Sequence, residues 1–325
     1  MNIGRGALLR GGAALLALPA QAQEAPFPSQ PIRMIVGYAP GGNTDVPARL
    51  FSAELARILG QPVVVENRPG ASGVPAGQFV QRARPDGHML LWATSASHSV
   101  AVVAMAPLAY DPVADFTPIT LISLDPNVIV SGTGFPARDL AGLLAYLRAN
   151  PGTPIGTSGP ATSGRFAAEL MRPKLGIQLT PVPYRSTGPM LTDLAGGTLP
   201  LGIMGASTAV PFLRDGRLRA YGVTSLARSR ILPEVPTFHE TVSPGFEAVA
   251  WSALYGPPGM APAVVAKIGA AMREAAAVPG VRKWLNESGL LVPLGTPAEL
   301  VRFMADDIAK WVGVARENGL RFENQ

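Results

Sequence analysis

No cysteine occurs in the 325 residues, which removes disulfides, thiolate nucleophiles, zinc ribbons and iron–sulfur ligation in one step. Histidine is nearly as scarce. His88, His98 and His239 are the only three; they lie far apart, none stands in an HxxxH or HExxH arrangement, and neither a metal nor a cofactor is expected. No apolar run approaches the ~20 residues of a membrane-spanning helix, so the chain is not expected to be membrane-embedded. Charged residues are 15% and aromatics 6%. The basic residues are scattered rather than interleaved with aromatics, which speaks against nucleic-acid binding. An acid–base or nucleophile constellation is missing too. Gly205-Ala206-Ser207-Thr208-Ala209 lacks the second glycine of a nucleophile elbow, and Gly132-Thr133-Gly134-Phe135-Pro136-Ala137 is followed by no acidic residue at the next strand end to hold a ribose. No catalytic residue is expected.

What remains is an apolar, turn-rich chain, with 47% hydrophobic residues, 36 glycines and 33 prolines, long enough for about two domains. Arg5 and Arg10 precede an apolar stretch from Ala13 to Ala20, and Ala20-Gln21-Ala22 supplies the small residues of a cleavage site. Residues 1–22 therefore read as a signal peptide, and the chain as an exported periplasmic protein.

Apolar β-type runs at Ile32 to Val36, Val63 to Val65, His88 to Ala93, Asn127 to Val130, Pro154 to Thr157, Leu179 to Pro183, Leu199 to Met204 and Arg219 to Thr224 alternate with helical stretches. That is the pattern of an α/β fold with mostly parallel sheets. In the first helix Val46, Leu50, Ala53, Ile58 and Leu59 are expected to form the inner face, with Gly60 as its stop. Proline-rich stretches at 111–126 and 243–259 are read as passages between two lobes: 26–124 plus 246–325, and 125–245.

Ligands of open α/β sheets bind beyond the carboxyl ends of strands, and five such loops are rich in Gly, Ser and Thr. They are 37–45, 94–99, 158–164, 184–188 and 205–208. Backbone N–H groups and hydroxyls at helix N-termini favour an anion, though the same residues are ordinary helix caps. Gly41, Gly42, Asn43 and Thr44 are expected to hold a carboxylate, with Asp45 opening the helix, so that Gly42→Val abolishes binding and leaves the fold intact. Arg185 is the first choice for a charge partner and Arg165 the second. Trp92 and Trp251 read as packing residues.

The motifs Pro40-Gly41-Gly42-Asn43-Thr44-Asp45, Val65-Glu66-Asn67-Arg68-Pro69-Gly70-Ala71, Pro85-Asp86-Gly87, Tyr110-Asp111-Pro112, Pro183-Tyr184-Arg185 and Val235-Pro236-Thr237, with Asp115-Phe116, Asp193-Leu194 and Trp251, resemble the Bug family, the TctC-type extracytoplasmic receptors of tripartite tricarboxylate transporters. The resemblance implies a two-lobed, monomeric periplasmic binding protein that closes on a small carboxylated solute and passes it to membrane permease subunits. It implies a site drawn from Tyr38, Ala39 and the loop to Asp45; Thr94, Ser95, Ser97 and His98; Ser158, Thr162, Ser163 and Arg165; Tyr184, Arg185 and Ser186. Ser207 joins them from the loop pattern. Relatives often carry Tyr, His and Gly where this chain has His88, Arg165 and Ser186. A sensor reporting to a membrane partner and an exported enzyme on the same fold are the alternatives.

Overall fold

A computed structural model describes residues 27–105, 107–159, 162–185 and 187–319; the expected leader and Ser186 lie outside them. The first part of the chain runs through β1 (Ile32–Val36), α1 (Asp45–Leu59), β2 (Val63–Asn67), α2 (Val74–Gln81), β3 (Met89–Thr94), α3 (Ala101–Ala104) and β4 (Thr117–Gly132). It continues with α4 (Leu140–Ala149), β5 (Thr153–Thr157), α5 (Ser163–Leu175), β6 (Leu179–Pro183), α6 (Thr187–Ala195), β7 (Leu201–Gly205), α7 (Ala206–Arg214) and β8 (Leu218–Val223). Last come α8 (Phe238–Thr241), β9 (Val249–Gly256), α9 (Pro262–Ala277), α10 (Pro279–Ser288) and α11 (Pro297–Asn318).

The strands form an α/β fold in two sheet regions joined by β4. One has the order β2-β1-β3-β9-β4, and β4 continues into the other beside β7, β5 and β6, with β8 on its far side. The βα units are parallel, β1 with β2 and β3 and β5 with β6 and β7, as the alternating pattern implies. The pairings of β9 and β4 are antiparallel, so each sheet is mixed.

Both strands that carry this antiparallel bonding lie in the proline-rich stretches, where the sequence suggested only passages. Pro118 and Pro126 are tolerated because of where they fall. Pro118 adjoins a register shift, and Pro126 ends the pairing of β4 with β9. From Asn127 onward the partner is β7. A proline lacks the ladder donor, so bulges and partner changes are where a strand accepts one.

Side chains of each strand alternate between two cores, as the two-residue pleat requires. Ile32, Met34 and Val36 enter one with Leu90, Trp92 and Leu254, whereas Ile35 enters the other with Leu91, Ala93 and Tyr255. The face α1 turns inward is not the expected one. Ala48, Phe51, Ser52 and Leu55 are buried, while Val46 and Ala53 are exposed. Phe51 sets that phase by packing on Trp92, ring centroids 5.8 Å apart. Gly60 ends the helix as expected, in the left-handed conformation with φ of 72°. Around the second sheet, Val128 and Val130 face α6 and α7, and Ile129 faces α4 and α5. α11 serves both halves, with Leu300 and Met304 in a core of the first sheet and Trp311 and Val314 against Phe166 of α5. Trp311 is fully buried edge-on to Phe166, 5.5 Å between centroids. Trp311→Ala is expected to cost about 3–5 kcal/mol, read as a fall in the urea midpoint.

Candidate functional site

A cavity of about 440 Å³ opens where the two sheets meet, walled by Tyr38, Asn43 and Thr44, Thr94 and Ser95, Ser123, Asp125 and Asn127, Ser158, Thr162 and Ser163, Ser207 and Thr208, and Trp251 and Trp284. The beginnings of four helices converge on it. Thr44 precedes α1, Thr162 and Ser163 open α5, Thr187 opens α6, and Gly205 precedes α7. Helix beginnings carry a positive partial charge, although at two of these four an N–H is already taken, Arg165 N by Thr162 Oγ1 and Ser207 N by Asp125. Across the mouth Asn43 Nδ2 donates to Thr208 Oγ1 at 2.6 Å, which ties the loop before α1 to the start of α7.

The walls are held by a layer of internal hydrogen bonds. Tyr38 donates its hydroxyl to Ser72 O at 3.0 Å and lies 2.8 Å from Thr94 Oγ1; burial pushes this phenol up to about 12, so it stays neutral. Asn127 donates through Nδ2 to Ala248 O at 2.7 Å and through its backbone to Thr224 Oγ1 at 3.0 Å, fixing β4 against the start of β9. Thr162 Oγ1 accepts from Arg165 N at 3.3 Å, an N-cap bond. Among the described residues the walls carry no Arg, Lys or His, and their one carboxyl is Asp125. That part-buried group accepts from Ser207 Oγ at 2.7 Å and more weakly from Ser207 N at 3.4 Å. Desolvation pushes it up to about 6, against those two bonds.

The pattern of the tripartite tricarboxylate transporter family receptor, TctC, matches residues 47–320. The chain belongs to this receptor family. BugT of Bordetella pertussis is 32% identical over 299 residues, 91% of this chain and 92% of the relative. Among solved structures, MatC from Rhodopseudomonas palustris with bound malate superimposes with a TM-score of 0.77 at 34% identity, covering 89% of this chain and 99% of that one. R. palustris Rpa4515 with adipate gives 0.80 at 30% identity, covering 90% and 98%. The periplasmic binding protein BugD superimposes with a TM-score of 0.78 at 29% identity, covering 91% of this chain and 99% of that one, so the fold of this TctC-family receptor is that of periplasmic binding proteins.

Within the receptor, the cavity brings together Tyr38, Asn43, Thr44, Thr94, Ser95, Ser158, Thr162, Ser163 and Ser207 of the expected residues. Ala39, Gly41 and Gly42 are exposed and off the walls. Gly41, with φ of 80°, turns the chain so that Asn43 and Thr44 reach the cavity instead. Asp45 is a brace. Its buried carboxylate accepts from Gly41 N at 2.8 Å, Arg49 Nε at 2.8 Å and Asn67 Nδ2 at 2.7 Å. Burial opposes its ionisation, but these bonds outweigh burial and hold the carboxyl below its usual range.

Ser97 and His98 form a layer behind the wall. Ser97 Oγ donates to Thr94 O at 3.0 Å and lies 2.9 Å from His98 Nδ1. His98 is fully buried, its ring 4.9 Å from Tyr255 and 5.0 Å from Phe116, and burial lowers it to about 3, so it is neutral.

The two arginines expected as charge partners are not on the wall. Arg165 is committed to the buried Glu169 through Nε and Nη2, at 3.0 and 2.7 Å. Arg185 is exposed. Tyr184 donates to Asp193 Oδ2 at 2.7 Å, also away from the cavity. Sequence reasoning missed Ser123, Asp125 and Asn127 of β4, Ser252 of β9, and Trp284 and Ser288 of α10, and took Trp251 for packing alone. Trp251 is both, buried behind and facing the cavity in front. An aspartate between Leu121–Leu124 and Val128–Val130 was the one available signal, since an acid within an apolar strand requires a reason.

Proposed function

We propose that this chain is a periplasmic solute-binding receptor, not an enzyme, that encloses a small carboxylated solute between two lobes and delivers it to the permease of a tripartite tricarboxylate transporter. The observation that carries this reading is the convergence of helix beginnings with hydroxyl and amide side chains on one open cavity. Such a site binds a carboxylate through fixed dipoles, with N–H and O–H donors replacing the water it loses. Relatives with malate and with adipate support the ligand class, and the family's name supports the transport partner.

A ligand that binds only the native state stabilises it by about 2.7 kcal/mol at one hundred times its dissociation constant. A screen of mono-, di- and tricarboxylates by thermal unfolding is therefore expected to find at least one that raises Tm by several degrees. A panel in which none does so would overturn the carboxylate reading. Saturation with that ligand is expected to reduce the radius of gyration in X-ray scattering, as lobes closing about β4 and β9 require.

A further inference from the structure

We propose a second ligand site outside the solute cavity, a pocket for a compact phosphate-class anion gripped by Arg230, Arg273 and Arg282 where the two halves of the chain meet. The pocket measures about 280 Å³. Arg273 comes from α9, and Arg282 with Asn286 from α10, two helices that pack on the first sheet through Met272, Ala275, Val281 and Leu285. Arg230 comes from the loop after β8, whose Leu232 and Val235 pack with Val128 and Val130 of the second sheet. α10 separates the two cavities. Its Trp284 and Ser288 line the solute cavity, its Arg282, Leu285 and Asn286 line the pocket, and among the described residues Leu290 alone lines both.

The three arginines are uncommitted. Exposed arginines elsewhere in the chain take carboxylates, as Arg57 takes Glu54 and Arg228 takes Glu240. Among the described residues no ion pair or side-chain hydrogen bond engages Arg230, Arg273 or Arg282. Glu274 and Glu287, their neighbours in sequence, are not on the pocket lining, and Glu287 faces Lys283 at 3.8 Å. A concave surface lined by one sign of charge over apolar Leu285, Leu291 and Val292 focuses its field on an anion. Number and placement select which anion. One guanidinium fork satisfies a planar carboxylate, whereas three from separate elements suit an oxyanion with oxygens on every side.

The backbone holds this arrangement. Gly289 ends α10 at a φ of 72°, and a Cβ there would stand 2.4 Å from Ile231, so the loop bearing Arg230 sits directly on the helix end. Arg228 pins the same loop, donating to Glu240 Oε1 at 2.8 Å and to Pro233 O at 3.0 Å. Leu291 exchanges backbone hydrogen bonds with Leu124 of β4, at 2.8 and 3.0 Å, which fixes the apolar lining. Only the arginine side chains remain to be ordered when an anion arrives.

Inorganic pyrophosphate and phosphate, titrated calorimetrically into the full chain at neutral pH and constant ionic strength, test the site. Pyrophosphate is expected to bind saturably at one site and more tightly than phosphate. Arg273→Gln and Arg282→Gln should each weaken it about tenfold or more, the worth of one charge-assisted hydrogen bond. Arg148→Gln makes the same charge change at an exposed position of α4 and should leave affinity unchanged. Vesicles of phosphatidylglycerol in phosphatidylcholine, beside phosphatidylcholine alone, separate the sources of the phosphate. Capture on the anionic vesicles that Arg282→Gln abolishes assigns the pocket to a lipid headgroup, and pyrophosphate binding without capture assigns it to a soluble anion. Displacement of pyrophosphate by an equal concentration of tricarballylate would overturn the preference for phosphate. Equal losses in Arg148→Gln and Arg282→Gln would reduce the effect to the general positive charge of the chain. A loss in Ser207→Ala with none in Arg282→Gln would put the anion in the solute cavity, and failure of pyrophosphate and vesicles alike overturns the site. Each of these leaves the receptor reading standing.

Discussion

Asp307→Ala is expected to cost the folded chain about 2–4 kcal/mol, because it removes a buried acceptor from an indole N–H and a hydroxyl and the partner of a half-buried ammonium. Asp307 on α11 is 2% exposed. Its Oδ2 accepts from Ser99 Oγ at 2.6 Å and from Trp251 Nε1 at 2.8 Å, and its Oδ1 stands 2.7 Å from Lys310 Nζ. One side chain thus ties the helix shared by both halves to the loop after β3 and to β9. Truncation leaves the Trp251 indole N–H buried without an acceptor, the Ser99 hydroxyl with only the longer bond to Ser95 O at 3.3 Å, and an ammonium without its countercharge. Asp307→Asn keeps one acceptor and loses only the ion pair, so its cost should be well under half as large. Because Trp251 forms a wall of the cavity, the alanine variant should also bind its carboxylate more weakly. Urea unfolding of the two variants beside the parent, with a ligand titration on each, checks both parts. Equal midpoints for the alanine variant and the parent would show that α11 docks through apolar packing alone.

The parts of this fold legible in the sequence are those encoded locally. Apolar runs mark β1, β3, β5 and β7, and Gly, Ser or Thr after them mark loops at strand ends, so Asn43, Thr94, Ser158 and Ser207 were within reach. Long-range pairings were not. β9 reaches its place between β3 and β4 by hydrogen bonds to residues more than a hundred positions away, and nothing in its own run of residues declares which strands those are. Asp125 and Trp251 come from such segments.

Arg165 shows a different limit of reading a sequence. Arg165 stands four residues before Glu169, the spacing at which oppositely charged side chains meet on a helix, and the structure uses it in that way. Asp45 and Arg49 repeat the lesson at the start of α1. In both cases the local pairing outranked the reach for a ligand, because a partner on the same helix turn is always present and a solute is not.

Gly37→Ala is expected to damage both stability and binding, whereas Gly42→Val, the substitution the loop pattern singled out, is expected to spare the fold and change affinity little. The difference is steric. A Cβ at Gly37 would stand 2.5 Å from Gly73 Cα, a contact between two backbones with no flexible side-chain end to give way. Gly73 is itself held at a φ of 88° that other residues rarely adopt, so the strain must pass into the loop from β1 or into the turn before α2. Tyr38 is the next residue, bonded to Ser72 O and to Thr94 on the cavity wall. Overpacking of this kind costs about 1–3 kcal/mol, and the displaced tyrosine should weaken ligand binding by about tenfold, the worth of roughly one hydrogen bond lost with its geometry. At Gly42 the nearest atom to an added Cβ is Ala39 O at 3.6 Å, and its φ is not in the left-handed range. Gly42 itself is exposed and off the cavity wall, which this loop joins one residue later at Asn43. Melting temperatures of the two variants, together with titration of the best carboxylate from the thermal screen, separate the outcomes. Loss of affinity in Gly42→Val with Gly37→Ala intact would place the carboxylate at the outer turn of the loop rather than behind Tyr38.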